Sequence, residues 1–330
     1  MTGTRLQPPL GEPAAPPRND ANTAQIRSTS TQIAHWGPHA ERFVRRHSSA
    51  VLVAVFSRSL YLQAGSDFLC IGDTSIGKGP LNATVDFVDW ARIAKRLPSS
   101  GAKVPINATM VEIGRAMLDT ARASTWRPPR WPRIVRIERL AEALRKLENL
   151  TYKRAPIEGL ARIVWVPIGE PTTSIDRIAR PRVDRLRNWA SARLSPSQSG
   201  LPPIELLGLG PGLTPSGDDL LCGAMIALHA IGAIDAGGDL HAAIAAVAPS
   251  ATSPLSAAFL RAAAEGCGSA GLHDILISLI KNEPIESDID VLARIGHTSG
   301  WDALAGAAVV LQAFSICRRD AAPSSSTNLS

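Results

Sequence analysis

The feature that most constrains this chain is a loop punctuated by glycine and proline that runs straight into an apolar helix: LLGLGPGLTPSGDDLLCGAMIALHAIG, Leu206 to Gly232. Gly208, Gly210 and Gly212 permit positive φ and close backbone approach, while Pro211 and Pro215 stiffen the loop between them. Thr214 or Ser216 is placed to cap the helix, and Asp218 and Asp219 fall in its first turn, where the macrodipole favours negative charge. Beyond them Leu220, Leu221, Ala224, Met225, Ile226, Leu228 and Ile231 cover nearly the whole circumference, so the helix is expected to be buried on all sides. Its start then opens into the interior. A buried helix start is an anion site by the reasoning used for phosphate loops, but two carboxylates repel a bare anion unless a metal, a Lys or Arg, or substrate N–H groups intervene.

A second stretch, IGHTSGWDALAG from Ile295 to Gly306, repeats the first in outline. Thr214, Ser216, Gly217, Asp219, Leu221 and Gly223 are echoed by Thr298, Ser299, Gly300, Asp302, Leu304 and Gly306, with identical spacing from the Ser–Gly pair onward. Two helices that start alike suggest a pseudo-symmetric pair with converging N-termini and with Gly223 and Gly306 allowing close packing. The expected ligand-binding residues are therefore Gly210, Gly212, Thr214, Ser216, Gly217, Asp218 and Asp219 from the first motif, and His297, Thr298, Ser299, Gly300 and Asp302 from the second. Asp218, Asp219, His297 and Asp302 are the candidate catalytic groups, His297 as a proton donor or acceptor. The structural alternative is a pair of capped core helices in which each Asp offsets a dipole and each Gly serves packing. His229, His241 and His273 lie away from the motifs, and Cys222, among apolar neighbours, reads as a small buried residue. Between the motifs, TSPLSAAFLRAAAEG puts Ser253 or Ser256 at a helix start. Arg261 and Glu265, four residues apart, then form a helix-surface ion pair, unless Arg261 reaches an anionic ligand.

Upstream the pattern is different. AVLVAVF, SLYLQA and DFLCIG, from residue 50 on, are short apolar runs of strand character, and VPINATMVEI from Val104 adds another strand. Between them DTSIGKGPLN forms a Gly-rich loop in which Lys78 and Asn82 could cradle an anion; a plain turn is the competing reading, since the Walker spacing is absent. RPPRWPR, at 127–133, marks a connection. IERLAEALRKLEN is amphipathic, with Ile137, Leu140, Leu144 and Leu147 on one face, and residues 171–195 read as helix interrupted by Pro181. PSQSGLPP links this to an Ala/Leu/Ile/Gly-rich remainder without strands. The fold class is thus α+β: a strand-containing N-terminal domain over 26–200 and a mostly helical C-terminal domain over 201–318, flanked by disordered tails at 1–25 and 319–330.

With 45% hydrophobic and 19% charged residues in 330, folding is assured. The net charge of +6 favours small anionic partners, but the Arg residues are spread over 91–194 among acids, and two Tyr and six Phe offer little base stacking, so nucleic acid is disfavoured. Cys70, Cys222, Cys267 and Cys317 make no CxxC pair, so no metal site or disulfide framework is signalled, and a reducing cytoplasm is the expected location. No secretory h-region is present, nor an uninterrupted apolar run of about 18 residues, so no membrane partner is expected.

GLGPGLTPSGDDLLCG, GHTSGWDALAG and, more loosely, SRSLYL and GKGPLN resemble a bacterial family that includes AllH, a subunit of the oxamate carbamoyltransferase of anaerobic allantoin breakdown. The resemblance covers about residues 45–317. It implies carbamoyl transfer between oxalurate and phosphate, giving oxamate and carbamoyl phosphate, within a complex of several subunits in purine catabolism. It requires no cofactor, although Mg²⁺ is compatible with the chemistry. The Ser-Thr-Arg-Thr phosphate motif of ordinary transcarbamoylases is absent, so different residues or partner subunits must complete the site. The alternative is a non-catalytic subunit that binds a small anion or scaffolds a complex.

Overall fold

The computed structural model describes residues 30–165, 174–195 and 200–320. The tail expected at 1–25, most of that at 319–330 and half of the linker at 196–203 lie outside them.

The apolar runs of the N-terminal part become β3 (Ser49–Val55), β4 (Ser59–Ala64) and β5 (Asp67–Asp73), followed by β6 (Asn82–Val85). The stretch from Val104 makes two strands rather than one, β7 (Lys103–Asn107) and β8 (Met110–Ile113), because Asn107 Oδ1 accepts the Thr109 N–H at 3.0 Å and turns the chain back on itself. β9 (Ala116–Asp119) continues the meander, and β1 (Thr31–Gln32), β2 (His35–Trp36) and β10 (Ser124–Thr125) are two-residue strands. Ten strands among the described residues share the order β1-β9-β8-β7-β3-β4-β5-β6-β2-β10. Residues 31–36 curl this sheet on itself: Thr31 and Gln32 pair with β9, and three residues later His35 and Trp36 pair with β6. The enclosed side chains, among them Leu52, Leu60, Ile71, Val104 and Leu118, form one core with Ala40, Phe43 and Val44 of α1 (Pro38–Arg46) and Trp90 and Ile93 of α2 (Phe87–Ala94).

The helical part comprises α3 (Ile137–Arg154), α4 (Ser174–Leu194), α5 (Ser216–Ala230), α6 (Ile234–Ala251), α7 (Pro254–Ala264), α8 (Ala270–Lys281), α9 (Glu286–Leu292) and α10 (Ser299–Asp320). The α+β class read from the sequence is therefore the observed one. Pro181 does not interrupt α4, which continues to Leu194. Ala179, Val183 and Leu186 are buried on both sides of the proline, and this packing outweighs the hydrogen bond that proline removes. Leu140, Leu144 and Leu147 of α3 join the same core as α5 and α10, so the helical core recruits segments on the N-terminal side of residue 201. The apolar stripe of α3 needs a partner surface and finds it on α8 and α10.

The central pair is α5 against α10, the most extensive contact between any two elements. α5 is buried around its circumference, as its sequence predicts. α10 is long and apolar enough to cross a membrane, but 78% of its most apolar stretch is buried inside the protein, as befits a core helix. Phe68 and Leu81 of the sheet part meet Leu255 and Ala258 of α7, seating the helices against the curled sheet. At this seam Arg261 and Glu265 do not pair with each other. The Arg261 guanidinium donates to the Ser66 carbonyl, and Glu265 is met by Arg42 at 2.8 Å and His39 at 3.4 Å. Tertiary partners outcompete the local one.

Candidate functional site

The loops that lead into α5 and α10 are built alike. The Leu209 N–H donates to the Leu206 carbonyl and the Ile295 N–H to the Leu292 carbonyl, both at 3.0 Å. The N–H of the second residue of each helix is then taken by the loop: Gly217 donates to Leu209 O at 2.8 Å, and Gly300 to Ile295 O at 3.1 Å. The structural repeat therefore extends back to Leu206 and Leu292, and Gly217 and Gly300 each press on the carbonyl of that leucine. Neither Thr214 nor Ser216 caps α5. Pro215 occupies the cap position, its carbonyl accepts the N–H groups of Asp218 and Asp219, and the Thr214 hydroxyl turns to meet the Ser299 hydroxyl at 3.2 Å. That contact joins the two helix starts directly.

The three aspartates occupy different environments. Asp218 is fully buried and saturated: Oδ1 accepts the Gly208 N–H at 2.6 Å, and Oδ2 accepts the hydroxyls of Thr252 and, at 2.6 Å, Ser256. It ties the glycine loop to the end of α6 and the start of α7. Asp219 and Asp302 instead occupy equivalent places in the two motifs. Each has its Oδ2 buried without a hydrogen-bond partner. Asp302 accepts the Leu160 N–H at 2.6 Å through Oδ1, and Gly159 leaves the room this requires. Burial raises the Asp302 carboxyl to about 6, against the lowering effect of the Leu160 N–H and the hydroxyls of Ser216 and Thr298. Burial also pushes Asp219 well above the ordinary carboxylate range; the Ser299 and Thr214 hydroxyls oppose this, and the charges of Asp302 and Asp218 add to it. Each aspartate is thus influenced by the serine at the other helix start, a crossed arrangement that follows from the pseudo-symmetry.

Asp219 faces a cleft of about 840 Å³ between the sheet part and the helical part. Of the residues expected from sequence, Gly212, Thr214, Ser216, Asp219, His297, Thr298, Ser299, Gly300 and Asn82 line it. Gly210, Gly217, Asp218 and Asp302 stand behind its wall and shape the loops. Lys78 is exposed and outside the lining; its charge acts on Asp274, and its carbonyl accepts the Ala270 N–H. Asn82 holds the turn at Thr74–Ile76, donating to the carbonyls of Ile76 and Gly77 at 3.3 and 3.0 Å. His297 sits at the exposed rim, 3.5 Å from Glu158.

Several lining residues escaped the sequence reading. Arg58 lies in the turn between β3 and β4 and reaches Asp73 at 3.4 Å; Arg294, three residues before His297, is exposed, and no ion pair engages it among the described residues. Tyr61, Cys70 and Cys222 wall the interior, and burial raises all three pKa values, Cys70 to about 12. Arg294 was findable as a cation beside the second motif. Tyr61 carried no signal, because only the curl of the sheet brings β4 over α5. His273 lies beneath the lining at Gly268, whose N–H it accepts at 3.0 Å, and stacks on Trp131 at 4.8 Å. Among the described residues no group of three or more His, Cys, Asp or Glu side chains is arranged to hold a metal ion.

Residues 206–311, about a third of the chain, match the family model described as oxamate carbamoyltransferase subunit AllH. This stretch contains both loops, both helix starts and all three aspartates. No solved structure matches the chain.

Proposed function

We propose that this chain is a subunit of a carbamoyltransferase-like enzyme acting on a small carboxylated amide of the oxamate or oxalurate class, with carbamoyl phosphate or phosphate as the second reactant, and that the cleft is its ligand site. The observation that carries this reading is Asp219: a buried carboxyl, raised toward its neutral form and with one oxygen left without a hydrogen-bond partner, that lines a cleft whose rim carries the Arg294 guanidinium. A buried carboxyl with one oxygen left unpartnered costs stability, and a ligand group that completes its hydrogen bonding recovers that loss.

In the transfer direction the amide nitrogen of the acceptor attacks the carbonyl carbon of carbamoyl phosphate. A tetrahedral centre forms, the bond between that carbon and the phosphate oxygen breaks with release of phosphate, and the amide nitrogen loses its proton. Arg294 and Arg58 hold anionic groups at the rim. The neutral Asp219 carboxyl donates toward the carbamoyl oxygen as charge develops there, and His297, open to solvent, is the group placed to take the proton. Other subunits and a cytoplasmic location belong to the same proposal.

One observation favours a second reading, a non-catalytic anion-binding subunit: the N–H groups of Gly217 and Gly300 are consumed by loop carbonyls and are not free as oxyanion donors. Thermal unfolding of the chain with oxamate, oxalurate, carbamoyl phosphate and phosphate, with and without Mg²⁺, tests the site. A ligand at a hundred times its dissociation constant adds about 2.7 kcal/mol and raises the midpoint. A shift lost in Asp219→Ala, which removes the donor, supports the cleft, whereas no shift with any of them defeats it. Assay of carbamoyl transfer by the assembled complex then separates catalysis from binding.

A further inference from the structure

The cleft has two unlike halves. Its rim is exposed and polar, formed by Arg58, Glu158, Arg294 and His297. Its interior is walled by Tyr61, Cys70, Cys222, Ile226, Leu255 and Phe259, none of them charged at neutral pH, and Asp219 is the one carboxyl on that wall among the described residues. The cleft measures about 840 Å³ and opens to solvent at the rim. Oxamate and carbamoyl phosphate, both small and charged, occupy only a fraction of that space and match only the rim. Ligand sites pair apolar walls with apolar ligand surface and use a few placed polar groups to fix orientation. Asp219, almost wholly buried, lining the interior and with its Oδ2 left without a hydrogen-bond partner, is such a group.

We infer that the ligand of this chain is amphipathic: a carboxylated amide whose anionic end lies at the rim with Arg294, whose carbonyl meets Asp219, and whose other end is an uncharged apolar group about the size of a phenyl ring. The inference rests on the cleft being the ligand site and goes beyond it by naming the shape of the ligand. Its consequence is a substrate preference that oxamate alone does not reveal.

The test is calorimetric titration of the full-length chain with oxamate, N-carbamoylglycine and N-carbamoylphenylalanine, repeated on Arg294→Ala and on Cys267→Trp, which adds bulk at Cys267, a further lining residue of the cleft. N-carbamoylphenylalanine is expected to bind at least tenfold more tightly than N-carbamoylglycine in the wild type. Cys267→Trp is expected to abolish that gain, bringing the two carbamoyl amino acids to within twofold of each other, and Arg294→Ala to weaken both. Equal affinity of the two carbamoyl amino acids in the wild type overturns the inference and leaves the site reading intact, whatever the fate of the Trp variant. If no probe binds, or if Arg294→Ala changes none of them, the site reading falls and the inference falls with it.

Discussion

Gly223 of α5 lies so close to the carbonyl of Ala303 in α10 that a Cβ added to it would stand 1.7 Å from the oxygen, and Gly306 meets the Leu220 carbonyl in the same way at 1.8 Å. The two contacts are images of each other under the repeat that equates Leu220 with Ala303. They let the helix backbones touch where they cross, and this brings Thr214 and Ser299 together at the helix starts. A methyl group at either glycine must force the axes apart in a core with no space to yield, so Gly223→Ala and Gly306→Ala should each destabilise by about 4 kcal/mol or more. Gly238, exposed in α6 with nothing near its added Cβ, is the control. Gly238→Ala should stabilise by up to about 1 kcal/mol. Urea unfolding of the three variants checks both signs; a mild effect at Gly223 would mean the crossing is looser than described.

Asp302 makes stability fall as pH rises. Its carboxyl is raised to about 6 in the folded protein from an ordinary value near 3.8, so the folded state holds the proton more tightly than the unfolded chain. The favourable contribution is complete below about pH 4 and is lost as pH climbs through 6. Because Asp219 is raised in the same direction and its charge opposes that of Asp302, the two act together. Asp302→Asn retains an oxygen for the Leu160 N–H and cannot titrate. Between pH 4 and pH 7 the wild type should therefore lose on the order of 3 kcal/mol relative to this variant. Parallel stability–pH curves for the two proteins would refute the assignment.

What the sequence made legible follows from the range of the interactions involved. The Ser-Gly-x-Asp echo, the buried circumference of α5 and the strand runs of β3, β4 and β5 are local patterns, and periodicity reads them directly. Asp218 and Asp219 are adjacent and were indistinguishable by pattern. Their difference arises because Thr252 and Ser256 fold back onto Asp218, whereas the second motif and the sheet face Asp219. The continuity of α4 through Pro181, the tertiary partners of Arg261 and the approach of Tyr61 to the cleft likewise depend on contacts between residues distant in sequence. The three extra residues Pro211–Leu213 hid how far the repeat extends, since an ungapped comparison stops at the Ser–Gly pair.

That difference predicts opposite outcomes at neighbouring positions. Asp218 accepts three hydrogen bonds in the core, and replacing it by Asn sets an amide N–H₂ against donors that need an acceptor. Asp218→Asn should lower stability by about 2 to 4 kcal/mol and loosen the loop from Gly208 to Pro215, which hydrogen exchange would register. Asp219→Asn replaces a carboxyl already driven toward its neutral form by an amide of similar shape. Its stability should stay within about 1 kcal/mol of wild type, and its amide N–H₂ can still donate to a ligand carbonyl, whereas Asp219→Ala, which removes the donor, should abolish ligand-induced stabilisation. If Asp218→Asn proved as stable as the wild type and abolished binding, the division of roles between the two would be reversed.

Arg294 separates electrostatic capture from folding. Its side chain is exposed, and no ion pair engages it among the described residues, so Arg294→Ala should leave the unfolding midpoint unchanged. Its guanidinium nevertheless stands at the rim beside His297, where an incoming carboxylate or phosphate first meets the protein. Loss of a charge-assisted hydrogen bond is worth about 1.5 to 3 kcal/mol, which corresponds to a roughly tenfold to hundredfold rise in the dissociation constant for an anionic ligand. Arg294→Lys keeps the charge and loses the forked geometry, so it should recover only part of that affinity. Because the contact is solvent-exposed, its contribution should shrink with added salt, and the gap between wild type and Arg294→Ala should narrow as ionic strength rises. A gap independent of salt would place the loss in loop structure around Gly296 rather than in capture of the anion.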